Sequence, residues 1–252
     1  MSGVILRTRN LGISFGAIRA LDNISIDLKA GSTLGVVGAN GSGKTTLLNL
    51  VTGIYIPTTG SVEFRGQDIT RRPPHHRRRR GLARTFQHPQ LIELLSIADN
   101  VAVGLSGRSA GMGLKPSVGL SVRDAVSLVG ADEFSDLLPH ETPFGMQKLV
   151  EVARALVAEP DVLLLDEPAA GLNAQERVNL ADLLRRLRDR RPDIAILFIE
   201  HDLEFMRRVA DEVIALESGS LIGAGGVEDV LSSAPVRRSL LGRVDEPGST
   251  EA

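Results

Sequence analysis

The chain has 252 residues, 42% hydrophobic and 24% charged, with a formal net charge of −2. That is the composition of one large globular domain, or of one domain with a sub-domain, and no global charge points to nucleic acid. Cysteine is absent, which rules out disulfides, thiolate zinc sites and cysteine nucleophiles. No apolar run approaches the roughly 18 residues of a membrane helix, and residues 1–10 lack the apolar core of a signal peptide. A cytoplasmic location is expected, with any membrane role supplied through a partner.

In chain order, residues 4–6, 13–15 and 24–28 alternate as short strands, and 33–37 is a compact apolar strand. Residues 44–52 place Leu47, Leu48 and Val51 at helical spacing and stop at Gly53. A turn at 57–60 leads into a strand at 61–64. Pro73 and Pro74 open a short basic helix over 75–80. From about 88 to 160 the patterns are helical, with segments at 97–105, 122–129, 132–137 and 146–158 and a Gly/Ser-rich loop at 104–119. This stretch reads as a helical insertion. Strand 162–165, helix 174–190, strand 194–199, helix 203–209 and strand 212–216 then alternate, which implies a parallel sheet with covering helices. One domain over 1–241 and a mobile polar tail over 242–252 are expected.

The stretch Gly38, Ala39, Asn40, Gly41, Ser42, Gly43, Lys44, Thr45 fits the phosphate-loop pattern G-x-x-x-x-G-K-[ST], with a strand before it and a helix after. Glycines let backbone N–H groups converge on phosphate oxygens. Lys44 can reach the β- and γ-phosphates, the Thr45 hydroxyl can ligate Mg²⁺, and Thr46 can add a phosphate contact. Far downstream, an apolar run ends in Asp166 and Glu167. Asp166 can hold the metal from the other side. Glu167 can polarise a water for attack on the γ-phosphate; taken alone it is also an ordinary glutamate at a strand end. His201 can orient water at a γ-phosphate, or simply cap its strand. Gln87 can offer an amide to Mg²⁺ or water, though a lone glutamine is usually solvated. Together these residues imply binding of a nucleoside triphosphate with magnesium, and its hydrolysis.

The order is phosphate loop, Gln87, then 142–147 (TPFGMQ), 162–167, Ala170-Gly171-Leu172-Asn173 and His201. In this order and spacing the chain resembles the ATP-binding subunits of ABC transporters, over nearly its whole length. The resemblance implies an α/β fold: a P-loop NTPase (RecA-like) core, an antiparallel β region and a helical sub-domain insertion. By it, Gln87 is the Q-loop glutamine, Glu167 the general base, His201 the switch histidine and 170–173 the segment that meets a second ATPase subunit. Phe15 matches the aromatic that stacks on adenine; the other reading is a core phenylalanine, and with only 3% aromatics in the chain stacking is the expectation. The implied partners are integral membrane permease subunits and a second ATPase, identical or not, at the cytoplasmic face of the membrane. Residues 15–21 (FGAIRAL), 81–87 (GLARTFQ) and 163–173 (LLLDEPAAGLN) are similar to the branched-chain amino acid importers, which urea and short-amide importers also resemble.

One departure stands out. The family's signature reads Leu-Ser-Gly-Gly-Gln, whereas this chain has Thr142, Pro143, Phe144, Gly145 and Met146. Pro143 has neither hydroxyl nor N–H to offer a partner's γ-phosphate; the amide of Gly145 at a helix start can still face an anion. The run His76 to Arg80, with Arg71 and Arg72, reads as a solvated basic face, ahead of contact with anionic lipid or an acidic partner. Rival readings are a soluble, non-transport ABC ATPase, and a P-loop GTPase or small-molecule kinase. The GTPase reading lacks the N-K-x-D segment that reads guanine.

Overall fold

The computed structural model describes residues 3–106 and 120–241. The expected tail over 242–252 and most of the Gly/Ser-rich loop lie outside the described residues. Two sheets carry the fold. Strands β1 (Val4–Phe15), β2 (Ile18–Lys29), β4 (Thr59–Phe64) and β5 (Gln67–Asp68) form an antiparallel sheet ordered β2-β1-β4-β5. The second has six strands. In spatial order they are β10 (Ser220–Gly226), β9 (Glu212–Glu217), β3 (Thr33–Val37), β8 (Ala195–Ile199), β7 (Val162–Asp166) and β6 (Leu82–Arg84). It is parallel from β9 to β6, and β10 returns antiparallel.

The residues of β3, β7 and β8 are buried throughout, so their side chains alternate between two cores. Leu163, Leu165, Ile196 and Phe198 face a core shared with helices α5 (Phe144–Leu156) and α6 (Ala174–Arg190). Leu164, Leu197, Ile199 and Val36 face the other, filled by helix α1 (Lys44–Thr52) and the antiparallel sheet. Helices α6 and α7 (Leu203–Val209) have the expected bounds because each carries a side-chain cap. Asn173 Oδ1 accepts from Glu176 N at 2.9 Å, and Asp202 Oδ1 from Phe205 N at 3.0 Å.

Several expectations need correcting. Strands 4–6 and 13–15 are one twelve-residue strand, β1. Bulges near Thr8 and Leu11, with Asn10 at φ 46°, break its alternation in the sequence. Helix 97–105 divides into α3 (Ile97–Ala102) and a 3-10 turn, Val103–Leu105. The expected helix at 132–137 is only a 3-10 turn, Asp132–Phe134. Helix α4 (Val122–Leu128) keeps its place behind a Ser121 capping box. Helix α5 starts earlier than 146, at Phe144. Strands β6 and β10 and the closing helices α8 (Val227–Ser232) and α9 (Ala234–Leu241) had no clear signal; β6 has three residues, and β10 has three glycines in seven.

The basic run is only partly a solvated face. Helix α2 (Pro74–Arg79) buries Arg77 to 1% exposure. Its Nη1 donates to Leu50 O and Val51 O, each at 2.7 Å, and its Nη2 to Thr70 O at 2.8 Å. Nε donates to Arg72 O at 2.9 Å. The guanidinium thus closes the C-terminal carbonyls of α1, where a cation is also favoured by the helix dipole. Burial pushes its pKa down to about 10, against the pull of Asp68, so it stays charged at neutral pH. Arg77→Met keeps the length and strands these carbonyls, and should cost about 2–4 kcal/mol of stability. A urea melt with an unmoved midpoint would show that Arg77 is no strut.

Candidate nucleotide site

Strand β3 ends at Val37 and feeds the loop 38–43, which enters α1 with Gly43 as its N-cap. Gly38 lies at φ 153° and Gly43 at φ 104°, a region side chains disfavour. Space forbids a side chain as well. A Cβ on Gly38 would fall 2.3 Å from the Leu216 carbonyl oxygen, and one on Gly43 2.6 Å from Leu21 Cδ2. No side chain caps α1, so its first N–H groups remain available to an anion. Ser42 Oγ is buried without a partner. Lys44 is 5% exposed, and its Nζ donates to Gly38 O at 2.8 Å and Ala39 O at 2.9 Å. Burial lowers its pKa; the charges of Glu167 and Asp166 oppose that shift. Ala39, Asn40, Gly41 and Thr45 are exposed, and Thr46 is half-buried. This is a cradle shaped for phosphate, with a cation folded over it.

Across from it, β7 pairs with β8 so that Asp166 stands beside Ile199. Glu167 N donates to Ile199 O at 3.1 Å, and Lys148 Nζ donates to Glu167 O at 2.8 Å. The backbone of Glu167 is held at φ 48°. Gln87 Nε2 donates to its Oε2 at 2.7 Å, and His201 Nε2 lies 2.9 Å from its Oε1. Gln87, Glu167 and His201 are thereby brought onto one carboxylate. A carboxylate so aligned can take a proton from a water set between it and a phosphate.

Several residues missing from the motif reading build this cluster. Glu200, 3% exposed, accepts from Ala169 N at 2.6 Å and His201 N at 3.1 Å; burial raises its pKa. Glu151 on α5, also raised by burial, accepts from Phe86 N at 3.2 Å and Gln90 N at 3.3 Å, spanning the loop that carries Gln87. Burial lowers the pKa of Lys148, one turn before Glu151. Arg84 holds Asp166: Nη2 donates to Oδ2 at 2.8 Å. An acid directly before His201 and two charges at i and i+3 on an otherwise apolar helix face were the available signals.

Phe15 and Gly145 lie outside the cluster. Phe15 is 46% exposed and meets Tyr55 edge-on, with centroids 5.3 Å apart and planes at 72°. It is therefore not a core residue. Gly145 begins α5 against Glu176, whose Oε1 would be 2.5 Å from an added Cβ. Pro143 is the exposed N-cap of α5 and makes no side-chain cap bond.

Hydroxyl, amide and carboxylate oxygens from Thr45, Gln87 and Asp166 are hard donors that suit Mg²⁺, an ion that takes its other ligands from phosphates and water. A strand-loop-helix phosphate cradle with a carboxylate pair at the end of a parallel strand one removed in the same sheet defines a P-loop nucleotide-binding ATPase. The chain belongs to the ABC transporter family, whose profile matches residues 21–170. It is 31% identical to the high-affinity branched-chain amino acid transport ATP-binding protein LivG of Salmonella typhimurium, across 96% of this chain and 99% of that one. It is 33% identical to the probable LivG of Archaeoglobus fulgidus, across 96% of each. Its fold matches the ADP conformation of MJ1267, an ATP-binding cassette of an ABC transporter, with a TM-score of 0.83 at 30% identity, covering 95% of this chain and 99% of that one. The expected P-loop core joined to an antiparallel sheet is thus the fold observed.

Because Phe15 is exposed, removing it should leave folding intact. Phe15→Ala should weaken ATP and GTP alike by about fivefold, the worth of roughly 1 kcal/mol of stacking. Titration with a fluorescent nucleotide checks this. Full affinity for both, with an unchanged melt, would take Phe15 out of the site.

Proposed function

We propose that this chain is the ATP-hydrolysing subunit of a membrane importer for branched-chain amino acids, seated at the cytoplasmic face by its permease partners. The observation that carries this reading is the Glu167 carboxylate, held by Gln87 on one side and His201 on the other. The solute itself would not touch this chain, so its class rests on the relatives' transport of branched-chain amino acids.

The loop 38–43 and the N-terminus of α1 would bind the triphosphate, with Lys44 turning from its own carbonyls to the β- and γ-oxygens. Thr45, Gln87 and Asp166 would hold Mg²⁺, which neutralises phosphate charge when bound. Glu167 would accept the proton of the attacking water, and His201 and Gln87 would orient both. Phe15 would stack on adenine.

Support for a membrane partner comes from a groove of about 330 Å³ beside this machinery, lined by Ile54, Arg78, Val103, Phe86 and Glu151. Phe86 precedes Gln87, and Glu151 binds its N–H, so whatever presses there also moves the glutamine. Among the described residues no helix is long and apolar enough to cross a membrane. The domain would run over 1–241 with its helical sub-domain over about 88–160. Residues 170–173 and the start of α5 would face a second ATPase subunit. Co-purification with an integral membrane protein, and loss of labelled leucine uptake when the gene is deleted, tests the whole reading. Loss of urea uptake with leucine uptake intact would overturn the substrate.

Glu167→Gln should bind ATP at wild-type affinity and release phosphate about 10²–10⁴-fold more slowly. Turnover near wild type would remove Glu167 from the chemistry. The start of α5 makes a further demand. With proline where a serine hydroxyl would reach the partner's nucleotide, the isolated chain should dimerise weakly with ATP and Mg²⁺ and hydrolyse slowly, the natural partner being a different ATPase subunit. Light scattering on purified protein decides this, and tight ATP-driven homodimers with brisk turnover would sink the heteromeric pairing.

A further inference from the structure

Arg84 touches the phosphate-loop helix, the metal-side carboxylate and the groove at once. It ends β6, three residues before Gln87. Nη2 donates to Asp166 Oδ2 at 2.8 Å, and the two side chains are only 7% and 5% exposed. Nη1 donates to Asn49 Oδ1 at 2.6 Å and Thr52 Oγ1 at 3.2 Å, both on the last turns of α1. The guanidinium lies 5.1 Å from the centre of the Phe86 ring, which lines the groove. Nε is buried with no partner.

Asn49 and Thr52 offer dipoles, and the ring of Phe86 a weak face. Among the described residues, Asp166 supplies the one full negative charge bonded to this buried cation. The same carboxylate is the one assigned to the metal. Two cations therefore compete for a single anion in a site of low polarity, where such competition is strong. The geometry gives the competition a route outward, because a guanidinium that leaves Asp166 also shifts against Phe86.

We propose that Arg84 is the counter-ion of Asp166 whenever no metal is bound there, and a positioning residue that couples cation binding at Asp166 to the Phe86–Gln87 loop. This rests on Asp166 being the metal-side carboxylate. While it is bonded to Asp166, Arg84 opposes the divalent cation. A partner seated in the groove that draws Phe86 and Arg84 outward lowers the magnesium requirement, and magnesium bound at Asp166 loosens the loop in return. The groove and the metal are thereby linked through one side chain, before any chemistry begins.

The test uses the whole chain and a fluorescent ATP analogue, titrated with magnesium chloride from an EDTA start. Arg84→Met should lower the magnesium concentration at half-maximal nucleotide binding by about tenfold, as removal of a competing buried charge demands. Arg84→Lys loses the bonds to Asn49 and Thr52 but keeps the charge, and should move the magnesium midpoint much less than Arg84→Met, by about twofold. The melting temperature gives a readout independent of turnover: Arg84→Met should melt lower than wild type in EDTA, and the gap should close on adding magnesium and ATP. A merely structural arginine would lower melting equally in both conditions and leave the magnesium midpoint alone, which would overturn the proposal. Should Arg84→Met fail to fold, Asp166→Asn decides. It should melt lower than wild type in EDTA because Arg84 loses its anion, and equal or higher melting would refute the pairing. Asp166→Asn should also abolish the magnesium effect on binding. If it does not, the metal assignment itself fails; if it does while Arg84→Met moves nothing, only the role of Arg84 falls.

Discussion

The parallel pairing of β7 with β8 is the constraint on which the site depends. It sets Asp166 beside Ile199, and each strand stops there. Two chain segments more than thirty residues apart therefore emerge from the same edge of the sheet, carrying Asp166 and Glu167 on one and Glu200 and His201 on the other. The bond from Glu167 N to Ile199 O locks the second carboxylate onto that edge just past the last ladder pair. Both strands are buried along their whole length, so the register cannot slip by one residue without exchanging the two cores. The geometry of the candidate site is thus specified by apolar side chains that never approach it.

Helix α5 converts that fixed edge into something movable. Lys148 grips the Glu167 carbonyl while Glu151, one turn later, holds the N–H groups of Phe86 and Gln90. One rigid rod therefore spans the Glu167 backbone and the loop bearing Gln87, and its first residues are those that replace the signature segment. A rotation of this helix would be felt at both. The buried charges along it explain why a helix with an apolar face carries Lys148, Glu151 and Arg154 inward.

What could be read in advance follows from how each residue does its work. The phosphate loop was legible because its glycines answer a purely local demand of backbone angle and space, and local demands leave local patterns. Asp166, Glu167 and His201 were legible because they end apolar runs, and α6 and α7 because Asn173 and Asp202 announce their starts. Arg84, Lys148, Glu151 and Glu200 were opaque. Their partners lie elsewhere in the chain, and only the folded topology pairs an arginine at the end of β6 with an aspartate at the end of β7. Arg77 misled for the same reason: a run of six basic residues, 75–80, looks like a surface until α1 offers carbonyls to one of them. The short strand β6 and glycine-rich β10 left too few side chains to show a period.

Glu167 sits in left-handed backbone, where a branched or bulky side chain is strained and glycine is at ease. The chain thus keeps tension at the residue proposed as its general base. Replacement by glycine there relieves the backbone and removes the carboxylate in one stroke. Selection for a sturdier fold and selection for turnover pull this codon in opposite directions, so a library screened for thermal resistance alone would drift toward well-folded protein that no longer works.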